Sequence, residues 1–147
     1  MTDDITQVEA DQLFAMEKRR LQDTEAQWPS LGGKASIQLI SADGREEFVL
    51  DLATSSMKIS KLMLQNRART TAILARLEID GAPHRNPDDE EIPCPHLHLY
   101  REGYNDRWAF PVPPNHFRDL TNRNITFEDF MRFCNVTLPP IFRDGLF

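Results

Sequence analysis

Long apolar runs are missing from this 147-residue chain. No stretch approaches the ~20 residues that a membrane-crossing helix requires. The first dozen residues are acidic, so neither a transmembrane span nor a secretion signal is expected. Cysteine is scarce: Cys94 and Cys134 are the two present, in no metal-ligand spacing. That scarcity favours a reduced, cytoplasmic setting. Acidic residues are absent between Asp51 and Glu78, where Lys58, Lys61, Arg67, Arg69 and Arg76 fall. Over the whole chain, however, 17 Lys and Arg stand against 23 Asp and Glu, a net charge of −6. The basic excess of a general nucleic-acid coat is therefore lacking. There is also no G-x-S-x-G, no Walker loop and no dinucleotide fingerprint, so the common hydrolase, NTPase and dehydrogenase templates receive no support.

What is present divides into a helix, a run of strands and a second helix. Thr6-Gln-Val-Glu9 has the form of a capping box and predicts a helix over about 6–22, with Val8, Leu13, Phe14 and Leu21 as core contacts. Trp28-Pro-Ser-Leu-Gly-Gly33 ends it in a loop. Ile37–Leu39 and Phe48–Leu50 read as strands joined by Ala42-Asp43-Gly44-Arg45. Met57, Ile59, Leu62 and Leu64 suggest a third strand with a bulge, and Gln65-Asn66-Arg67 a turn. Thr71, Ile73, Ala75, Leu77 and Ile79 alternate, which favours a fourth strand over a competing helix across 62–78.

Residues 81–95, with four prolines among charges, predict an irregular loop. Strands from His96 to Arg101 and from Arg107 to Val112 then flank the turn Glu102–Asp106. Thr126 is the expected N-cap of a last helix with Phe127, Phe130, Met131 and Phe133 or Cys134 on its apolar face. The apolar tail Ile141–Phe147 is expected to pack back. The sum is a single α+β domain over 1–147: an antiparallel meander of about six strands, with an N-terminal and a C-terminal helix packed on the sheet.

Three of the four histidines lie within fifteen residues, His84, His96 and His98. Imidazole suits proton transfer or metal binding near neutral pH. On a strand, His96, His98 and Tyr100 would share one face, with β-carbons roughly 6.5–7 Å apart, while Leu97 and Leu99 enter the core. Three readings stand open. A His-x-His pair can hold a divalent ion with His84 or a loop carboxylate as third ligand. The imidazoles can instead serve metal-free acid–base chemistry on a phosphodiester, with Arg67 and Arg76 on the phosphate. Or they are structural and hydrogen-bond the Pro-rich loop.

The string His84-Arg-Asn-Pro87-Asp88…Pro95-His96-Leu-His98-Leu-Tyr100-Arg-Glu102-Gly103-Tyr104…Trp108-Ala109, with Phe130-Met-Arg-Phe-Cys134-Asn-Val136, resembles an uncharacterised bacterial family, catalogued only as a domain of unknown function. The resemblance implies a bacterial or prophage origin and a role in genetic conflict, with no catalytic assignment. A looser likeness is to the histidine-triad nucleotide-binding proteins, but Tyr100 stands where their third imidazole would be.

The leading expectation is a metal-independent, ribonuclease-like toxin acting on RNA or another phosphate-bearing ligand. His96 or His98 would be its base or acid, His84 the complementary group, Tyr100 a donor, and Arg67 and Arg76 phosphate ligands. No cofactor is expected, a divalent metal at His96 and His98 being the minor alternative. The rival is a non-enzymatic, counter-defence protein that binds a host or cognate protein through Asp88, Asp89, Glu90, Glu91, Tyr104 and Trp108. No membrane partner is expected.

Overall fold

The computed structural model describes residues 5–143. One eight-stranded sheet dominates, formed by β1 (Lys18–Arg20), β2 (Lys34–Ser41), β3 (Glu47–Thr54), β4 (Leu62–Ala68), β5 (Ala72–Ile79), β8 (His96–Arg101), β9 (Asn105–Pro111) and β10 (Val136–Leu138), in the order β10-β1-β2-β3-β4-β5-β8-β9. All its pairings are antiparallel except β1–β10. A two-stranded ribbon, β6 (His84–Arg85) with β7 (Glu91–Ile92), lies within the 81–95 loop. The α+β class holds. The strand count exceeds the expected six because β1 and β10 are three-residue pieces too short and too polar to show a period.

The hairpin at Asp43-Gly44 forms as expected, with Gly44 at a φ of 77°. The capping box also forms: the Glu9 amide donates to the Thr6 hydroxyl and the Thr6 amide to the Glu9 carboxylate. Helix α1 nevertheless runs only over Gln7–Ala15. It ends because Lys18 turns inward, fully buried, and its ammonium donates to the carbonyls of Phe14 (2.8 Å), Met16 (2.9 Å) and Cys134 (2.7 Å). A cation at a helix C-terminus satisfies carbonyls that lack an intrahelical partner. Val8 and Leu21, expected in the core, are exposed.

Two further expectations fail around β4. Met57 and Ile59 belong to an exposed loop, not a strand, and Gln65-Asn66-Arg67 continues β4. The chain reverses instead at Arg69 and Thr70, both at positive φ. Leu74 is the extra residue of a bulge opposite Asn66 and Arg67, which places Leu74 and Ala75 together on the buried side.

Leu39, Leu50, Leu52, Leu64, Leu77 and Leu97 face the two helices in one core. The second helix, α2 (Arg123–Phe133), buries Phe127, Phe130 and Met131 as expected. Its N-cap is Asn122 rather than Thr126, whose buried hydroxyl donates to the carbonyls of Asn122 and Asp119. The tail packs back in part: the Phe142 ring meets Trp28 at 5.3 Å and Phe127 at 5.4 Å, while Ile141 stays exposed. The expectation for residues 144–147 lies outside the described residues.

Candidate functional site

Strand pairing between β5 and β8 builds the site. Arg76 stands opposite His98, and Glu78 opposite His96. Partners directly across a ladder share a face, so these four side chains converge on the sheet face opposite the helices. The core-facing partners Leu77 and Leu97 anchor the same two strands from the other side.

Both imidazoles are almost wholly buried, each 1% exposed. Acid–base chemistry on a phosphodiester would need them open to solvent, and they are not. The cause is the 81–95 loop, which folds over them. The Asn86 side chain donates to the Ala109 carbonyl (2.9 Å) and accepts from its amide (2.8 Å), pairing with edge strand β9 as a neighbouring strand would. His84, half-buried, hydrogen-bonds through Nε2 to the Arg107 carbonyl at 2.7 Å. Its ring packs edge-on against His98 with centroids 4.6 Å apart. All three imidazoles thus gather, with His96 and His98 at 4.9 Å and His84 and His96 at 6.0 Å.

The nitrogens assign themselves. His98 Nδ1 lies 2.8 Å from the Asp106 carbonyl oxygen, and His96 Nδ1 lies 3.3 Å from that of Pro93. A carbonyl only accepts, so each Nδ1 carries a proton, and in the neutral ring each Nε2 is a lone pair. Both Nε2 atoms approach one atom: Glu78 Oε2 is 3.0 Å from His98 Nε2 and 3.6 Å from His96 Nε2. The His98 approach is short but not directed as a hydrogen bond, so its Nε2 is a buried atom without a hydrogen-bond partner. Glu78 is held down to about 2, first by its contact with His98 and then by Arg76, against the opposing effect of burial. Burial, then the neighbouring His98, lowers His96 below the usual imidazole range.

Arg76 Nε donates to Glu78 Oε2 at 3.1 Å, and its guanidinium also pairs with Asp106. Arg76 thus does join the histidines, but as a partner of carboxylates rather than a free phosphate ligand. Arg67 does not join them: it lies on β4, where Asp51 takes its Nε at 2.7 Å and its Nη2 at 3.2 Å. Two more residues of the basic belt are similarly engaged, Arg69 by Glu9 and Glu46 and Lys58 by Asp80.

Tyr100 leaves the histidine face altogether. A register shift between Leu99 and Arg101 turns it into the core, where its hydroxyl donates to the Ile5 carbonyl at 2.6 Å. Asp88, Asp89, Glu90 and Glu91 are exposed, and Arg85 reaches Asp89 and Glu91. Tyr104 packs edge-on against Trp108 at 5.8 Å, with Arg101 over the Trp108 ring. Sequence reasoning missed Glu78 and Asp106. The alternation of polar residues through Arg76 and Glu78 was the signal for the first; nothing local marked the second.

Glu78, His96 and His98 each offer one ligand atom, all within 4.8 Å of one another. In a tetrahedral zinc site with bonds of ~2.0–2.1 Å, donor atoms stand about 3.3 Å apart, a value the 3.0 and 3.6 Å separations bracket. The surrounding main-chain carbonyls, and Arg76 on the carboxylate, are the outer contacts that orient such ligands. Substrate access is another matter. A polar cavity of 540 Å³ lies beside Arg20, Gln38 and Arg67, and an apolar one of 360 Å³ lies between α1 and Leu99, Phe110 and Phe133. Neither is lined by Glu78, His96 or His98.

The fold and site define an α+β domain in which two buried histidines meet a half-buried carboxylate under a proline-rich loop. The chain belongs to a family of unknown function (DUF6978), whose model matches residues 5–136. No curated protein and no solved structure matches it.

Proposed function

We propose that this domain binds one divalent first-row transition-metal ion, zinc by its donor types, through His96 Nε2, His98 Nε2 and the Glu78 carboxylate. The observation that supports it is the convergence of two buried Nε2 atoms on a single carboxylate oxygen, with both Nδ1 atoms already engaged by main-chain carbonyls. With both rings neutral, three electron-rich atoms face one another. A cation turns that repulsion into three bonds.

The role this suggests is stabilising. The ion would fasten β5 to β8 beneath the 81–95 loop and so hold the exposed Asp88–Glu91 rim and the Tyr104–Trp108 pair in place. A metal-held surface of that kind suits the non-enzymatic protein-binding alternative. The ribonuclease-like toxin asks for an imidazole and a guanidinium open to a phosphate, and the buried rings and paired arginines lend it no support.

Calorimetric titration of metal-stripped protein with Zn²⁺ is expected to show one site per chain. At an ion concentration 100 times Kd, unfolding should cost about 2.7 kcal/mol more. Glu78→Gln and His98→Gln, which preserve size, should weaken binding on the order of 100-fold or more, since loss of outer-shell partners alone costs ~10–100-fold. Affinity no better than about 1 mM, or affinity unchanged in both variants, overturns the proposal. RNA cleavage that disappears in His98→Gln would favour the toxin reading instead.

A further inference from the structure

One end of the sheet displays apolar side chains with no tertiary cover. Met57 is 93% exposed, Ile59 69% and Leu31 51%. Two loops bring them together. A β-carbon on Gly32 would stand 3.2 Å from that of Ser56, so the turn carrying Leu31 abuts the loop carrying Met57 and Ile59. That loop has a held shape: the Ser55 hydroxyl accepts from the amides of Met57 and Lys58, and the Lys61 amide donates to the Lys58 carbonyl. The Arg123 guanidinium, from the first turn of α2, donates to the Ile59 carbonyl, and the two segments line one shallow cleft. The apolar tips are therefore held outward.

Basic groups surround them. Lys34, Lys58 and Lys61 are exposed, and Arg123 is half-buried at the cleft. Three carboxylates lie nearby: Asp80, 4.0 Å from Lys58, Asp119, turned onto the Thr121 hydroxyl and amide, and Glu78, which flanks Gly81 with the Lys61 side chain and is paired with Arg76. Among the described residues Lys34, Lys61 and Arg123 make no ion pair. This end is thus locally cationic in a chain of net charge −6.

From this combination we infer that loop 55–61, together with Leu31, is a wedge that contacts an anionic lipid surface, independently of the metal reading. Binding at a bilayer interface scales with apolar area buried at the headgroup boundary plus attraction to anionic lipid. A protruding aliphatic pair between lysines supplies both. The wedge carries no aromatic ring, so it lacks the stacking platform that a single-stranded nucleic acid uses. A peripheral contact of this kind needs no spanning segment, and no helix among the described residues is long and apolar enough to cross a membrane.

Vesicle flotation tests the inference. The protein should float with phosphatidylcholine vesicles containing phosphatidylglycerol, remain behind with phosphatidylcholine alone, and release as salt rises. Met57→Asp/Ile59→Asp should reduce partitioning by about tenfold or more, with far-UV circular dichroism unchanged because both side chains are exposed. Lys58→Glu/Lys61→Glu should remove the preference for anionic vesicles. The inference is overturned by absence of binding to either vesicle, by equal binding to both, or by binding that survives the Met57/Ile59 substitutions. Self-association or RNA binding that depends on Met57 and Ile59, without flotation, overturns it as well.

Discussion

Two buried polar groups in this molecule obey opposite rules. Lys18 is fully buried between the C-terminal ends of α1 and α2, and each of its three ammonium protons meets a carbonyl oxygen. Its charge also lies over the Phe48 ring at 4.9 Å. Burial pushes its pKa down to about 8. His96 and His98 are buried to a similar degree on the other face of the sheet, beside a Glu78 carboxylate that is only half-buried, and His98 Nε2 makes no directed hydrogen bond to it. A satisfied buried polar group needs no function beyond structure, whereas an unsatisfied one costs stability unless something else completes it. Lys18 is complete within the protein. The histidine cluster leaves His98 Nε2 without a hydrogen bond.

Substitutions can sharpen this contrast. Lys18→Met keeps the apolar stem but strands three buried carbonyls, and should destabilise by about 3 kcal/mol in denaturant unfolding, with or without metal. A loss below about 1 kcal/mol would mean that water can replace the ammonium. His98→Gln in metal-free protein should cost less, about 1–2 kcal/mol, because the hydrogen bond to Asp106 and the contact with Glu78 are given up. A loss as large as that of Lys18→Met would show that the cluster is already satisfied without an ion.

Asn66 offers the smallest expected effect. It is fully buried between Leu50 and Ala75, and neither its amide nitrogen nor its oxygen has a partner. Asn66→Leu, close in size, should be neutral or stabilise by up to about 1 kcal/mol. Clear destabilisation would mean that the amide has a partner after all, such as a buried water at the bulge.

How much was legible in the sequence follows the range of the forces involved. The capping box at Thr6–Glu9 and the hairpin at Asp43-Gly44 depend on hydrogen bonds and φ values within a few residues, and both formed. His96 and His98 share a face because strand alternation is local, and the proline-rich loop next to them reads as a loop for the same reason. The early end of α1 was not legible, because it depends on an ammonium reaching a carbonyl 116 residues away. Tyr100 was misplaced because the bulge that diverts it is set by pairing with β9.

The order of residues by itself determined an α+β chain, the position of the histidine strand, and a stretch free of acid. Tertiary structure alone decided what those histidines meet. Glu78 reaches them through the β5–β8 register, and register across a 16-residue gap is a property of the assembled sheet. Burial was decided the same way. Only when Asn86 clips the 81–95 loop to the edge strand are the imidazoles sealed from water, and a buried polar group must find its partners within the fold.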